Sequence, residues 1–149
     1  TFGKALGSEG ALLCGPRVMR DHVINRGRGF IFSTAPSPLM AACVREALRI
    51  VEEEPERREA LHDLIGYAGR KLAPFGVSAS GSQIMPLVLG DEARTMHIAG
   101  ALRSAGFDIR GIRPPTVPAG SSRLRISLTL NIGRAQIDAL ADTLSEILA

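Results

Sequence analysis

Tryptophan is absent from this 149-residue chain, and aromatic residues make up only 4% of it. That scarcity argues against a surface on which nucleic-acid bases stack. Basic residues are spread along the sequence and the net charge is only +3, so a nucleic-acid footprint is not expected. Cysteine is nearly missing too, with Cys14 and Cys43 isolated from each other. Two cysteines without metal-like spacing are expected as buried thiols in a reducing compartment. His22, His62 and His97 are scattered and form no ligand cluster, so no metal is expected. No run approaches the roughly 18 apolar residues of a membrane span, and no signal peptide is visible; a cytoplasmic location is expected. The remaining composition is that of an ordinary globular protein. A chain of this length buries about 70% of its unfolded surface.

The chain is organised around its first stretch, Thr1-Phe2-Gly3-Lys4-Ala5-Leu6-Gly7-Ser8-Glu9-Gly10. A lysine stands there among three glycines. A lysine amine is a good nucleophile only when held, desolvated and deprotonated for part of the time. Flanking glycines let the backbone approach a bound group closely. Thr1 and Ser8 add hydroxyls suited to phosphate. The stretch therefore reads either as a lysine presented to an anionic cofactor or as a solvated turn lysine. It is not a nucleotide-binding P-loop, because Lys4 is followed by Ala5 and the earlier glycine is missing. Nor do Gly3, Gly7 and Gly10 have the Gly-x-Gly-x-x-Gly spacing of a dinucleotide site.

Ala11-Leu12-Leu13-Cys14, closed by Gly15-Pro16, predicts a short buried strand. A helix follows to about Arg26, stopped by Gly27 and Gly29. Phe30-Ile31-Phe32 is a second β-favouring run. Ser37 and Pro38 start a helix whose apolar face carries Leu39, Cys43, Ala47, Ile50 and Val51. Glu52-Glu53-Glu54-Pro55 breaks it. In the next helix Leu61, Leu64, Ile65, Ala68 and Leu72 continue at helical spacing to Pro74 and Gly76, and it is read as passing from a larger domain into a smaller one. Beyond it the pattern predicts strands at Ile84 to Leu89, Phe107 to Ile112 and Arg123 to Leu130. Helices are expected from Asp91 to Ala105 and from Gly133 to Leu148. In the last strand Leu124, Ile126, Leu128 and Leu130 alternate with Arg123, Arg125, Ser127 and Thr129. The order β-α-β-β-α gives an α/β fold with a small antiparallel sheet covered by helices on one face.

Three places could carry chemistry besides the lysine loop. Ser33-Thr34 is either a phosphate contact or turn chemistry. Arg123 and Arg125 leave the same polar strand face, where they either grip a carboxylate or blunt a sheet edge. The loop Arg113 to Ser122 contains three prolines, which remove N–H donors and fix φ. It is either a stiff frame for Thr116 or an ordinary connector.

Three blocks carry a resemblance in family order. Thr1-Phe2-Gly3-Lys4-Ala5-Leu6-Gly7 resembles the lysine segment of the α-oxoamine synthases, pyridoxal-phosphate enzymes of the aminotransferase-like fold. Ile31-Phe32-Ser33-Thr34-Ala35-Pro36-Ser37-Pro38 matches the same family. The block from Gly111-Ile112-Arg113-Pro114-Pro115-Thr116 to Arg123-Leu124-Arg125-Ile126-Ser127-Leu128 is most similar to the member acting in biotin synthesis. The resemblance covers essentially the whole chain. It departs at Ser8-Glu9, where relatives often carry a small or apolar pair.

The resemblance implies the C-terminal part of a longer enzyme. Residues 1–54 would end the large cofactor-binding domain and residues 55–149 would form the small C-terminal domain. A preceding segment would carry the groups that stack on and pair with the cofactor ring, so this chain alone is expected to be inactive. Lys4 would hold pyridoxal 5'-phosphate as a Schiff base and act as general base, with Thr1 on the phosphate. Ser33 and Thr34 would reach the cofactor phosphate of a neighbouring subunit, implying a homodimer with a shared active site. Arg125, in preference to Arg123, would hold the amino-acid carboxylate, and Thr116 and Arg113 would contact substrate. The implied reaction condenses L-alanine with pimeloyl-CoA or a pimeloyl carrier protein, with loss of carbon dioxide. Two rivals stay open: a sister enzyme joining glycine to acetyl-CoA or succinyl-CoA, and a non-catalytic module binding an acidic metabolite through Arg123 and Arg125.

Overall fold

The computed structural model describes residues 1–148, which divide into two units, Thr1–Pro55 and the part from Glu56 onward. The first unit is helical. It contains α1 (Arg17–Arg26), α2 (Arg28–Ile31) and α3 (Pro38–Glu53). Pro38 sits in the first turn of α3 as expected, but Ser37 makes no side-chain capping bond. Four sequence expectations fail here. Ala11 to Cys14 is not a strand, and Leu12 and Leu13 are each 67% exposed. Phe30 and Ile31 lie in α2 rather than in a strand, with the amides of Phe30 and Ile31 both donating to the Gly27 carbonyl at 2.9 Å. A brief apolar run fits helix and strand equally, and local hydrogen bonding decided this one. Cys14 and Cys43 are exposed, not buried. On α3 it is Val44, not Leu39, Cys43 or Val51, that is buried.

The second unit holds the core. It begins with α4 (Glu56–Leu72), all of which lies in this unit and runs into a short 3-10 turn at Ala73–Phe75. Glu56 and Glu59 in the first turn of α4, and Arg70 and Lys71 in the last, oppose the helix dipole's end charges. Then come β1 (Ile84–Gly90), α5 (Glu92–Ser104), β2 (Arg110–Ile112), β3 (Ser122–Ser127) and α6 (Arg134–Leu148). Asp91 caps α5 by accepting from the Arg94 amide at 2.7 Å. The three strands form one antiparallel sheet in the order β1-β3-β2.

Alternation on β3 puts Leu124 and Ile126 into the core while Arg125 and Ser127 face out. Leu72 of α4, Leu102 of α5, and Ile137 and Leu144 of α6 meet them in one apolar cluster. Gly111 lies opposite Leu124, and a Cβ there would meet Met96 Sδ at 2.9 Å and Thr95 Cγ2 at 3.4 Å. Glycine at that position lets α5 lie close against β2. Two strands are shorter than their apolar patterns. β2 starts at Arg110 rather than Phe107, and β3 ends at Ser127, leaving Leu130 46% exposed.

Ser122 is buried opposite Gly90 where the β1–β3 register shifts, and its hydroxyl has no partner among the described residues. Burying a hydroxyl without a hydrogen bond is costly. Ser122→Ala is therefore expected to stabilise the chain by about 1 kcal/mol, read as a rise in the urea midpoint at unchanged slope.

The outer surfaces of α4 and α6 are joined by a polar cluster that the sequence reading missed. The Tyr67 hydroxyl donates to Asp138 Oδ1 at 2.6 Å, and Lys71 Nζ lies 2.9 Å from the same oxygen. Arg134 stands 5.0 Å from the centre of the Tyr67 ring. The hydrogen bond from Tyr67, followed by that from Lys71, holds the Asp138 carboxyl below the usual range. Its bond to Asp138 holds Lys71 above its usual value. The depressed carboxyl contributes stability at pH values above its unfolded pKa, about 3.9. That contribution disappears as pH falls through the lower folded value. Asp138→Asn is expected to flatten the acid limb of a plot of Tm against pH, while neighbouring surface changes such as Asp142→Asn leave that limb in place.

Candidate active site

In the first unit, the loop carrying Lys4 is closed by its own backbone. The Phe2 amide donates to the Gly10 carbonyl at 2.9 Å, and the Ser8 amide to the Phe2 carbonyl at 3.0 Å. Within that frame the Gly7 amide donates to the Lys4 carbonyl at 2.9 Å, closing a turn over residues 4–7. Gly7 and Gly10 have φ of 60° and 85°, a region that glycine enters without a Cβ penalty. The loop therefore bends as its glycines suggested, and Ser8 turns its hydroxyl toward Met40 Sδ at 3.7 Å. Lys4 and Thr1 are both exposed. Among the described residues, neither side chain has a hydrogen-bond or ion-pair partner.

The contrast with the other lysine is informative. The sequence has only two, Lys4 and Lys71. Lys71 is engaged by Asp138 and held protonated, whereas the Lys4 amine is uncommitted. The donor set of the loop suits a phosphorylated aldehyde: one free primary amine for the carbonyl carbon and the Thr1 hydroxyl for phosphate. Ser33 and Thr34 follow α2 and are exposed, and the Ser33 hydroxyl donates back to the Gly29 carbonyl at 2.5 Å. It keeps its acceptor lone pairs, while Thr34 has no side-chain partner among the described residues.

In the second unit, Arg125 lies mid-strand on β3, exposed and without a partner among the described residues. Arg123 is half-buried, and its Nε donates to the Ser121 carbonyl at 2.9 Å. That separates the two arginines: one is committed to its own loop and the other is available to a ligand. The loop from Arg113 opens with a cis Pro114–Pro115 bond, and the Thr116 amide donates to the Arg113 carbonyl at 3.0 Å. Thr116 is exposed. The Arg113 guanidinium is paired with Glu92 in the first turn of α5, tying the proline loop to that helix. No group of three or more candidate metal ligands occurs among the described residues. No described helix is long and apolar enough to cross a membrane.

Comparison with known proteins places this arrangement. The profile of aminotransferase class I and II matches residues 1–144. The chain belongs to that family. Within it, an 8-amino-7-oxononanoate synthase of Anaeromyxobacter dehalogenans is 44% identical over 150 residues, covering 99% of this chain and 38% of the relative. Among solved structures, an 8-amino-7-oxononanoate synthase of Francisella tularensis superposes with a TM-score of 0.83 at 24% identity, covering 99% of this chain and 44% of that one. A serine palmitoyltransferase of S. paucimobilis, solved with a bound PLP–myriocin aldimine, gives 0.88 at 24% identity, covering 99% and 38%. This aminotransferase-family chain thus spans 38% of the length of the curated relative it matches. The expected aminotransferase-like fold with a small antiparallel sheet is the one found.

Proposed function

We propose that this chain is the C-terminal portion of an α-oxoamine synthase that condenses L-alanine with a pimeloyl thioester, on the pathway to biotin. The observation that carries the reading is the glycine-bent loop with Lys4, whose amine has no partner among the described residues. The 44% identity to an 8-amino-7-oxononanoate synthase across 99% of the chain supports the choice of reaction. The cofactor is pyridoxal phosphate, which when bound supplies an electron sink for a carbanion at the amino-acid α-carbon.

The residues then divide the work. Lys4 holds the cofactor through its amine, and once released takes the α-proton on Nζ. Thr1 bonds the phosphate, joined by Ser33 and Thr34 from a second copy of the subunit. Arg125 fixes the amino-acid carboxylate, for which a guanidinium fork gives two parallel bonds. Thr116 and Arg113 border the thioester. The carbon–carbon bond forms between the α-carbon and the thioester carbonyl, the thiol leaves, and the amino-acid carboxylate departs as carbon dioxide. The working enzyme is a homodimer and acts in the cytoplasm, and residues 1–54 belong to its large domain. The chain on its own does not turn over. Alanine and pimeloyl-CoA are expected to give no product with this chain and to give 8-amino-7-oxononanoate with a version extended to the relatives' length. Product from glycine and a short acyl-CoA in place of that pair would assign the sister activity instead.

A further inference from the structure

Because β2 begins only at Arg110, the stretch from Phe107 leaves β3 without a strand partner on that side beyond Arg125. The gap is a cleft of 460 Å³, with apolar walls that include Phe107, Ile109, Ile132 and Leu140 and with two cations, Arg110 and Arg125, and one carboxylate, Asp108, also lining it. Its size falls within the range of small-ligand sites, which are mostly apolar with a few fixed polar groups. The two arginines are direct cross-strand partners. Like charges so placed repel and weaken the pairing. Arg110 is partly neutralised by Asp108 at 3.0 Å, whereas Arg125 has no counter-charge among the described residues. An anion seated between them would relieve the repulsion, and a chain attached to that anion would have an apolar wall to lie along.

We propose that this cleft binds a medium-chain aliphatic carboxylate, its head on Arg110 and Arg125 and its tail along Phe107 and Ile109. The inference goes beyond the condensation reaction and does not depend on Lys4 or on any cofactor. If Arg125 also serves the amino acid, such a ligand competes with that substrate, which makes Arg110 a determinant of inhibition.

The test is a titration of the complete chain with butanoate, hexanoate, octanoate and octan-1-ol, followed by amide chemical shifts. Octanoate is expected to move the signals of residues 107–112, Ser127 and Ile132. Affinity should rise about fourfold for each added methylene, as burial of a CH₂ group predicts. Octan-1-ol should bind more weakly than octanoate. Arg110→Gln should weaken octanoate about tenfold, the loss of one charge-assisted hydrogen bond, and leave octan-1-ol unchanged. Affinity independent of chain length would overturn the proposal by showing an ion site only. So would shifts confined to other parts of the chain, or an octanoate affinity unaltered in a folded Arg110→Gln variant. The chain-length series needs no variant, so it decides the matter even if that substitution disturbs the sheet.

Discussion

Lys4→Ala is expected to remove nearly all stable pyridoxyl labelling of lysine when the chain is incubated with pyridoxal phosphate and reduced with borohydride. Only deprotonated amines add to an aldehyde, and the chain offers two lysines in opposite circumstances. Lys71 is held by Asp138 at 2.9 Å and kept above its ordinary pKa by that bond, so its reactive fraction is small. Lys4 has no side-chain partner among the described residues and sits in a loop closed by three backbone hydrogen bonds. Peptide mass spectrometry should find the adduct on the peptide containing Lys4 in clear excess over Lys71, whose amine is held protonated by its bond to Asp138. Lys4→Arg should behave as Lys4→Ala does, because guanidinium stays protonated. The α-amine of Thr1 is distinguished by fragmentation. Equal labelling of both lysines would remove the observation on which the enzymatic reading stands.

Leu124→Ala is expected to cost about 3–4 kcal/mol of stability, within the range for deleting a buried leucine and leaving its cavity. Leu124 is fully buried at the centre of β3, with Leu87 of β1 on one side and Gly111 of β2 on the other. Gly111 has no side chain to lean into the void, so collapse around the cavity is restricted. Set against a typical domain stability of roughly 5–15 kcal/mol, the loss should appear as a large fall in the urea midpoint. Leu130→Ala, at a residue 46% exposed beyond the end of β3, should change the midpoint little. A comparable loss from both substitutions would mean that β3 extends as far as its apolar alternation suggested.

How far the fold could be read in advance depended on which forces act locally. Asp91 and the Gly106 stop bound α5 because caps satisfy the helix's own end groups, whatever surrounds it. β3 was visible because a half-buried strand needs alternation, and Arg123 to Ser127 show it cleanly. Leu12 to Cys14 and Phe30 to Phe32 misled because apolar runs were equated with burial, which depends on what else packs there. Among the candidate site residues, the bending of the Lys4 loop was foreshadowed by Gly7 and Gly10. The different fates of Arg123 and Arg125 were not, because a bond to the Ser121 carbonyl depends on how the preceding loop turns. The Tyr67–Lys71–Asp138 cluster could be half seen, since Tyr67 and Lys71 stand four apart on one helix face. Asp138 is 71 residues from Tyr67, and only the packing of α6 brings it near.

The unequal distribution of buried side chains has a consequence for motion. Val44 is the only buried hydrophobic residue between Thr1 and Pro55 among those described, whereas Leu72, Leu102, Leu124 and Leu144 are fully enclosed. Deuterium uptake should therefore be lopsided. Amides of α1 and α2 should open by local fraying and exchange early, and those of β3 and α6 should exchange only when the whole sheet-and-helix body comes apart.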